Sequence, residues 1–144
     1  MKALFAGSFD PFTIGHKNIV ERALPLFDHI IIGIGYNIKK QYLYTAEEIA
    51  ENITKIFKYE PKIEVKIYNG LTIDFAKEQE IDCFLRSVRN LQDFEYERNL
   101  AEINRKLSGI ETLLMFASPE LSHISSSMVR ELMSYGKNVK QFLP

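Results

Sequence analysis

Apolar residues recur along the chain in short blocks separated by polar stretches with helical spacing. "KALFAGSF" (2–9) is an almost unbroken apolar run and reads as a buried strand. "HIIIGIG" (29–35) is a β-branched run of the kind covered on both faces. Between them, residues 16–27 have the spacing of an amphipathic helix. Thr45 and Glu48 stand as in a capping box, so the helix of "TAEEIAENITKIFK" opens at Thr45. "KIEVKIY" (62–68) alternates as a strand, and "NGLTIDFAKEQ" supplies a turn and a short helix. "DCFLRSV" (82–88) is a fourth strand, residues 93–107 a charged amphipathic helix, and "IETLLMF" (110–116) a fifth strand. A last helix begins near "SSSMVREL".

Strands alternating with helices imply right-handed crossovers. The expected fold is a Rossmann-like, doubly wound α/β domain with a five-stranded, mainly parallel sheet, and residues 1–144 read as a single domain. No repeat, low-complexity stretch or linker interrupts it. In such sheets ligands sit beyond the carboxyl ends of the strands. Ser8 to His16, Lys39 and Lys40, Gly70 to Thr72, Arg86 to Arg89 and Ser118 to Ser127 should therefore converge.

Composition narrows the classes. A hydrophobic fraction of 46% and a charged fraction of 26% are ordinary for a soluble domain. The formal net charge of −1 gives no global basic field, so no nucleic-acid partner is expected. The apolar N-terminal run is cut off by Asp10, unlike a signal peptide, and no apolar stretch is long enough to span a bilayer. The expected location is the cytoplasm. The single cysteine, Cys83, forms no internal disulfide, which suits a reducing compartment.

The densest chemistry lies in "AGSFDPFTIGHKNIVERA" (6–23). Gly7 and Gly15 allow a ligand close to the backbone, and a helix beginning near His16 offers free N–H groups to an anion. A histidine there can donate to a phosphate oxygen. No Ser/His/Asp set, reactive cysteine or carboxylate pair stands out.

"GSFDPFTIGH" resembles the first motif of the nucleotidyltransferases, with Thr13-Ile14-Gly15-His16 as its core, and "ISSSMVRE" (124–131) resembles the second. "RSVRNLQDFEYERNLAEINRKL" (86–107) and "KKQYLYTAEE" (39–48) are similar to segments of the bacterial phosphopantetheine adenylyltransferases. The resemblance covers essentially the whole chain. It implies adenylyl transfer from ATP to 4′-phosphopantetheine, giving dephospho-coenzyme A and pyrophosphate, by attack of an already ionised phosphate oxygen, so that positioning and charge neutralisation are what catalysis needs and no side chain need activate the nucleophile. Mg²⁺ would accompany ATP, riding on its phosphates, since no carboxylate cluster with ligand spacing stands out and no protein side chain is expected as metal ligand. The resemblance also implies a homo-hexamer, with coenzyme A as a candidate feedback ligand.

Residue by residue, the resemblance implies that His16 stabilises the transition state and that Ser8 bonds between the reacting phosphates. Phe9, Ser87, Val88, Arg89 and Glu97 would meet ATP. Leu121, Ser122, His123, Ile124, Ser125, Ser126 and Ser127 would wrap its adenine and phosphates. Lys40 and Arg86 would hold the acceptor's phosphate, with Leu71, Thr72 and Asn104 along the pantetheine arm.

Taken singly, several of these residues have plainer readings. Lys39 and Lys40 read as a solvated pair, Arg86 and Arg89 as surface ion-pair partners, and Glu97 as an i,i+3 or i,i+4 partner on its helix. Asp10 reads as a structural carboxylate bonding the turn's backbone, and Phe94 and Tyr96 as core or subunit contacts. The chain departs from the family pattern at Ser8, Ile49, Thr72, Ser87 and Leu121, and it stops at "FLP" where a further helix usually follows. Nicotinamide mononucleotide and cytidylyl transferases share both motifs, and a silent nucleotide-binding module would keep the fold. The 86–107 block argues against the first two, and the intact His16, Lys40 and Arg86 against the third.

Overall fold

The computed structural model describes residues 1–144. Five parallel strands form one sheet: β1 (Lys2–Gly7), β2 (His29–Tyr36), β3 (Ile63–Asn69), β4 (Cys83–Val88) and β5 (Glu111–Phe116), in the order β3-β2-β1-β4-β5. Five α-helices connect or follow them: α1 (Ile14–Ala23), α2 (Ala46–Ile56), α3 (Thr72–Glu78), α4 (Leu91–Ser108) and α5 (Ser126–Ser134). The chain winds outward from β1 to β3 and then returns to β4 on the other side of β1. The switch point, and with it the crevice for a ligand, therefore lies between β1 and β4.

Period-two alternation sorts the strand residues onto two faces. Ala3 and Phe5 of β1 join Ile30, Ile32, Ile34 and Leu85 under α1 and α2, packed with Val20, Ile53 and Phe57. Leu4 and Ala6 face the opposite way, toward Ile31, Phe84 and Phe75 of α3. The apolar run of β2 is buried from Ile30 to Ile34, as a doubly covered strand requires.

Element ends differ from the periodicity by a few residues, for local reasons. β1 stops at Gly7 rather than residue 9, because Phe9 takes φ +50 and turns the chain out of the sheet. α1 opens at Ile14, two residues earlier than expected, because Thr13 is its N-cap, and it ends at Ala23 ahead of a short 3-10 turn holding Pro25. α4 opens at Leu91 rather than 93 because the Asn90 side chain accepts the Asp93 N–H at 2.8 Å. The helix at Thr45 opens where the cap signal put it, with Thr45 Oγ1 accepting the Glu48 N–H at 3.1 Å.

Of the residues in α4, only Glu97 is fully buried, while Leu91, Phe94, Tyr96, Ile103 and Leu107 are exposed. Phe94 and Tyr96 are therefore not core residues of the single chain. On β5, the outer strand next to α4, Leu113 and Phe116 are exposed as well.

Candidate active site

A cleft of about 260 Å³ opens over the carboxyl ends of β1, β4 and β5. Its walls come from the start of α1 (Thr13, Gly15, His16, Ile19), the end of β4 (Ser87, Arg89), α4 (Asp93, Glu97), and Ala117, Leu121 and Ile124 to Ser127 around the start of α5. Ser125 is the N-cap of α5 and accepts the Met128 N–H at 3.1 Å. Two helix N-termini therefore border one cleft, each with unpaired first-turn N–H groups and a positive dipole end, an arrangement suited to a polyanion.

His16 is held in a defined state. It occupies the third position of α1, where the Thr13 N–H donates to its Nδ1 at 3.0 Å and its own N–H donates to Thr13 Oγ1 at 3.4 Å. An N–H donates only to an unprotonated ring nitrogen, so the imidazole keeps its proton on Nε2. Phe12 stacks on the ring and Phe9 meets it edge-on, with centroids at 5.3 and 5.1 Å. Burial, with the positive charges of Arg89 and Arg86 added, lowers its pKa to about 4. At neutral pH His16 is an uncharged hydrogen-bond donor.

Arg86 and Glu97 form a bidentate pair, Nε to Oε2 at 2.8 Å and Nη2 to Oε1 at 2.7 Å. Arg86 Nη1 also donates to the Ala6 carbonyl at 2.7 Å, which ties β4 to the end of β1. The helix-neighbour reading of Glu97 is thus overturned: its carboxylate crosses to the sheet. Arg89 pairs with Asp93, Nε to Oδ2 at 2.8 Å, on the exposed rim.

The remaining expected residues divide around this cleft. Ser8 faces a neighbouring hollow shared with Gly35, Tyr36 and Tyr42, and Lys40 stands exposed in the loop after β2. Phe9 and Val88 are buried, so only their backbones are available to a ligand. Ser122 and His123 do not line the cleft; the Ser122 hydroxyl donates to the Pro119 carbonyl at 3.0 Å and His123 is exposed. Leu71 is exposed just before α3, Asn104 is half-buried on α4, and the Thr72 hydroxyl is 2.7 Å from Tyr68 Oη.

Sequence reading missed Ile19, Asp93 and Ala117 in the cleft wall, and Tyr68 beside Thr72. Tyr68 lies flat over Gly33 and Gly35 and stacks on Phe75 at 4.4 Å, so the two glycines of "GIG" were the available signal. Asp10 is buried and structural, but its carboxylate bonds Leu43 and Tyr44 rather than its own turn.

The parallel sheet with this cleft at its switch point defines a nucleotidyltransferase-like domain, and a cytidylyltransferase-like family model matches residues 4–132. Among solved structures, a bifunctional NMN adenylyltransferase/ADP ribose pyrophosphatase from Francisella tularensis superposes with TM-score 0.67 at 15% identity, over 99% of this chain and 44% of that one. A lipopolysaccharide core biosynthesis protein from Thermoplasma volcanium gives TM-score 0.58 at 17% identity, over 82% and 96%. These two share the fold. The phosphopantetheine adenylyltransferase of Bacteroides thetaiotaomicron is 52% identical over 143 residues, 99% of this chain and 95% of that one. That of Porphyromonas gingivalis is 51% identical over 99% and 93%, and that of Flavobacterium johnsoniae 48% over 99% and 94%. The chain belongs to the phosphopantetheine adenylyltransferase family.

Proposed function

We propose that this enzyme transfers an adenylyl group from MgATP to 4′-phosphopantetheine, releasing pyrophosphate and forming dephospho-coenzyme A. The observation that carries the reading is the convergence of two helix N-termini and a tautomerically fixed His16 on one cleft at the switch point.

A phosphate oxygen of the acceptor attacks the α-phosphorus in line. The new P–O bond forms as the bond to the bridging oxygen breaks, and pyrophosphate carries that electron pair away. The attacking oxygen is already ionised, so no general base is required. His16 donates from Nε2 to oxygens around the α-phosphorus, where negative charge gathers in the transition state. The first turn of α5, with Ser125 to Ser127, receives the phosphates of ATP, and Arg89 closes the rim. Leu121 and Ile124 border the adenine in the cleft, with Ser122 and His123 just outside it at the mouth, and Ser87, Val88 and Phe9 offer backbone groups. On the acceptor side Arg86, preset by Glu97, and Lys40 hold the phosphate. Ser8 stands between the two substrates, and Leu71, Thr72 and Asn104 follow the pantetheine arm. Carried on the nucleotide's phosphates, magnesium would supply further neutralisation of their charge.

The exposed apolar residues of α4 and β5 support assembly into a homo-oligomer, a hexamer on the family pattern, with coenzyme A as a candidate feedback ligand. No helix is long and apolar enough to cross a membrane, and a cytoplasmic location goes with this reading.

The test is pyrophosphate release with MgATP and, separately, 4′-phosphopantetheine, nicotinamide mononucleotide or glycerol 3-phosphate. Release with the first alone is expected. Release with another acceptor, or with none from folded protein that binds ATP, would remove the assignment. His16→Ala should lower kcat by roughly 10²–10³-fold with little change in ATP affinity, the cost of losing one preorganised donor.

A further inference from the structure

Asp10 is 3% exposed and makes no ion pair, so its carboxylate depends on the hydrogen bonds it accepts. Two backbone groups supply them: the Leu43 N–H donates to Oδ2 at 2.8 Å and the Tyr44 N–H to Oδ1 at 2.9 Å. The backbone of the same dipeptide is gripped from α5. Arg130 Nη1 donates to the Asp10 carbonyl at 2.6 Å, and Ser126 Oγ to the Pro11 carbonyl at 2.7 Å. Residues 10 and 11 thus join the α5 wall of the cleft to the loop that follows β2.

That loop is braced within itself. The Asn37 N–H donates to Tyr42 Oη at 2.8 Å, the Lys39 N–H to Asn37 Oδ1 at 2.9 Å, and the Lys40 N–H to the Asn37 carbonyl at 2.9 Å. Its polar attachment to the turn bearing His16 is the pair of N–H groups at Leu43 and Tyr44, and the Tyr44 side chain also packs on the core cluster that holds Phe9 and Phe12. We propose that Asp10 is a positioning residue for the acceptor substrate: its carboxylate fixes the Lys40 loop relative to the turn bearing His16, and so sets where the acceptor's phosphate is held. The proposal rests on the function given above. It assigns Asp10 an effect on one substrate only, which a general contribution to folding would not produce.

Asp10→Asn keeps the volume but turns an amide NH₂ toward one of the two N–H donors. The KM for 4′-phosphopantetheine should rise about tenfold or more while that for ATP stays within about twofold. In the absence of substrates, trypsin should cut after Lys39 or Lys40 faster than in the parent. On a Lys40→Ala background, Asp10→Asn should add little further to the acceptor KM, since the effect passes through Lys40. Leu43→Pro, at an exposed position, removes one of the two donors and should give the same one-sided KM change if Asp10→Asn folds poorly. An unchanged acceptor KM, both KM values rising together, or additive effects of Asp10→Asn and Lys40→Ala would overturn the proposal. Failure of the parent enzyme to use 4′-phosphopantetheine would overturn the functional assignment instead, and the trypsin comparison would still report whether Asp10 anchors the loop.

Discussion

Lowering the pH from 7 to 5 should cost this fold about 2 kcal/mol through His16 alone. In the folded chain the imidazole has a pKa of about 4, set by burial and by Arg89 and Arg86, against an ordinary value of 6.5. The unfolded chain therefore takes up the proton first as the pH falls, and stability declines across the window from 6.5 to 4. Each state gains RT ln(1 + 10^(pKa − pH)) from protonation. The unfolded state gains about 2.0 kcal/mol more than the folded state at pH 5 and only about 0.2 at pH 7. Other groups titrate too, so the quantity to read is the difference between parent and His16→Gln, which retains an acceptor for the Thr13 N–H and does not ionise. Urea denaturation of both at pH 7 and pH 5 gives it. The parent should lose roughly 2 kcal/mol more than the variant. Equal losses would show that His16 titrates normally and would refute both its desolvation beneath Phe9 and Phe12 and the neutral-donor role.

Glu97→Ala strands the Arg86 guanidinium. Breaking such a pair costs about 3–5 kcal/mol when fully buried, and with 26% of the Arg86 side chain exposed about 2–3 is expected by urea denaturation. Adding Arg86→Met with Glu97→Leu should restore most of it, and a loss under about 1 kcal/mol for the single variant would contradict the pair's importance. Gly35→Ala would place a Cβ 2.8 Å from Tyr68 Oη and 2.9 Å from its Cζ. The ring must move off its stack and away from Thr72, at about 1–3 kcal/mol, so a thermal midpoint unchanged within about 1 °C would argue against that packing. Ile103→Lys puts a charge on the exposed apolar face of α4 and should shrink the proposed homo-oligomer in light scattering. A parent that already runs as a monomer would refute the oligomer.

The fold was legible because its core strands are short apolar runs with caps and turns between them; "HIIIGIG" and Thr45 located β2 and α2 almost to the residue. The β1–α1 junction was less legible, since Phe9 leaves the sheet through a backbone conformation that its side chain does not advertise. Within the site, His16, Arg89 and Ser125 to Ser127 were legible from motif resemblance and from their places after the strands, whereas Ile19, Asp93 and Ala117 carried no such signal. Glu97 and Arg86 lie eleven positions apart and meet only because β4 and α4 pack together, so local helix pairing was the wrong frame for Glu97. Asp10 was readable as structural, but its partners thirty-three and thirty-four residues away depend on where the loop after β2 returns.

Burial does most to hold His16 neutral, and the two arginines that add to it also couple the ring to whatever fills the cleft. A bound triphosphate offsets the field of Arg89 and Arg86, which raises the imidazole pKa in the complex; the burial contribution stays. By thermodynamic reciprocity the protonated enzyme then binds polyanions more tightly than the neutral one, and binding at acidic pH draws protons from solution. Calorimetry in two buffers of different ionisation enthalpy would read that uptake as a difference in heat. The cleft thus takes up protons together with anions, although the proposed reaction needs no proton transfer.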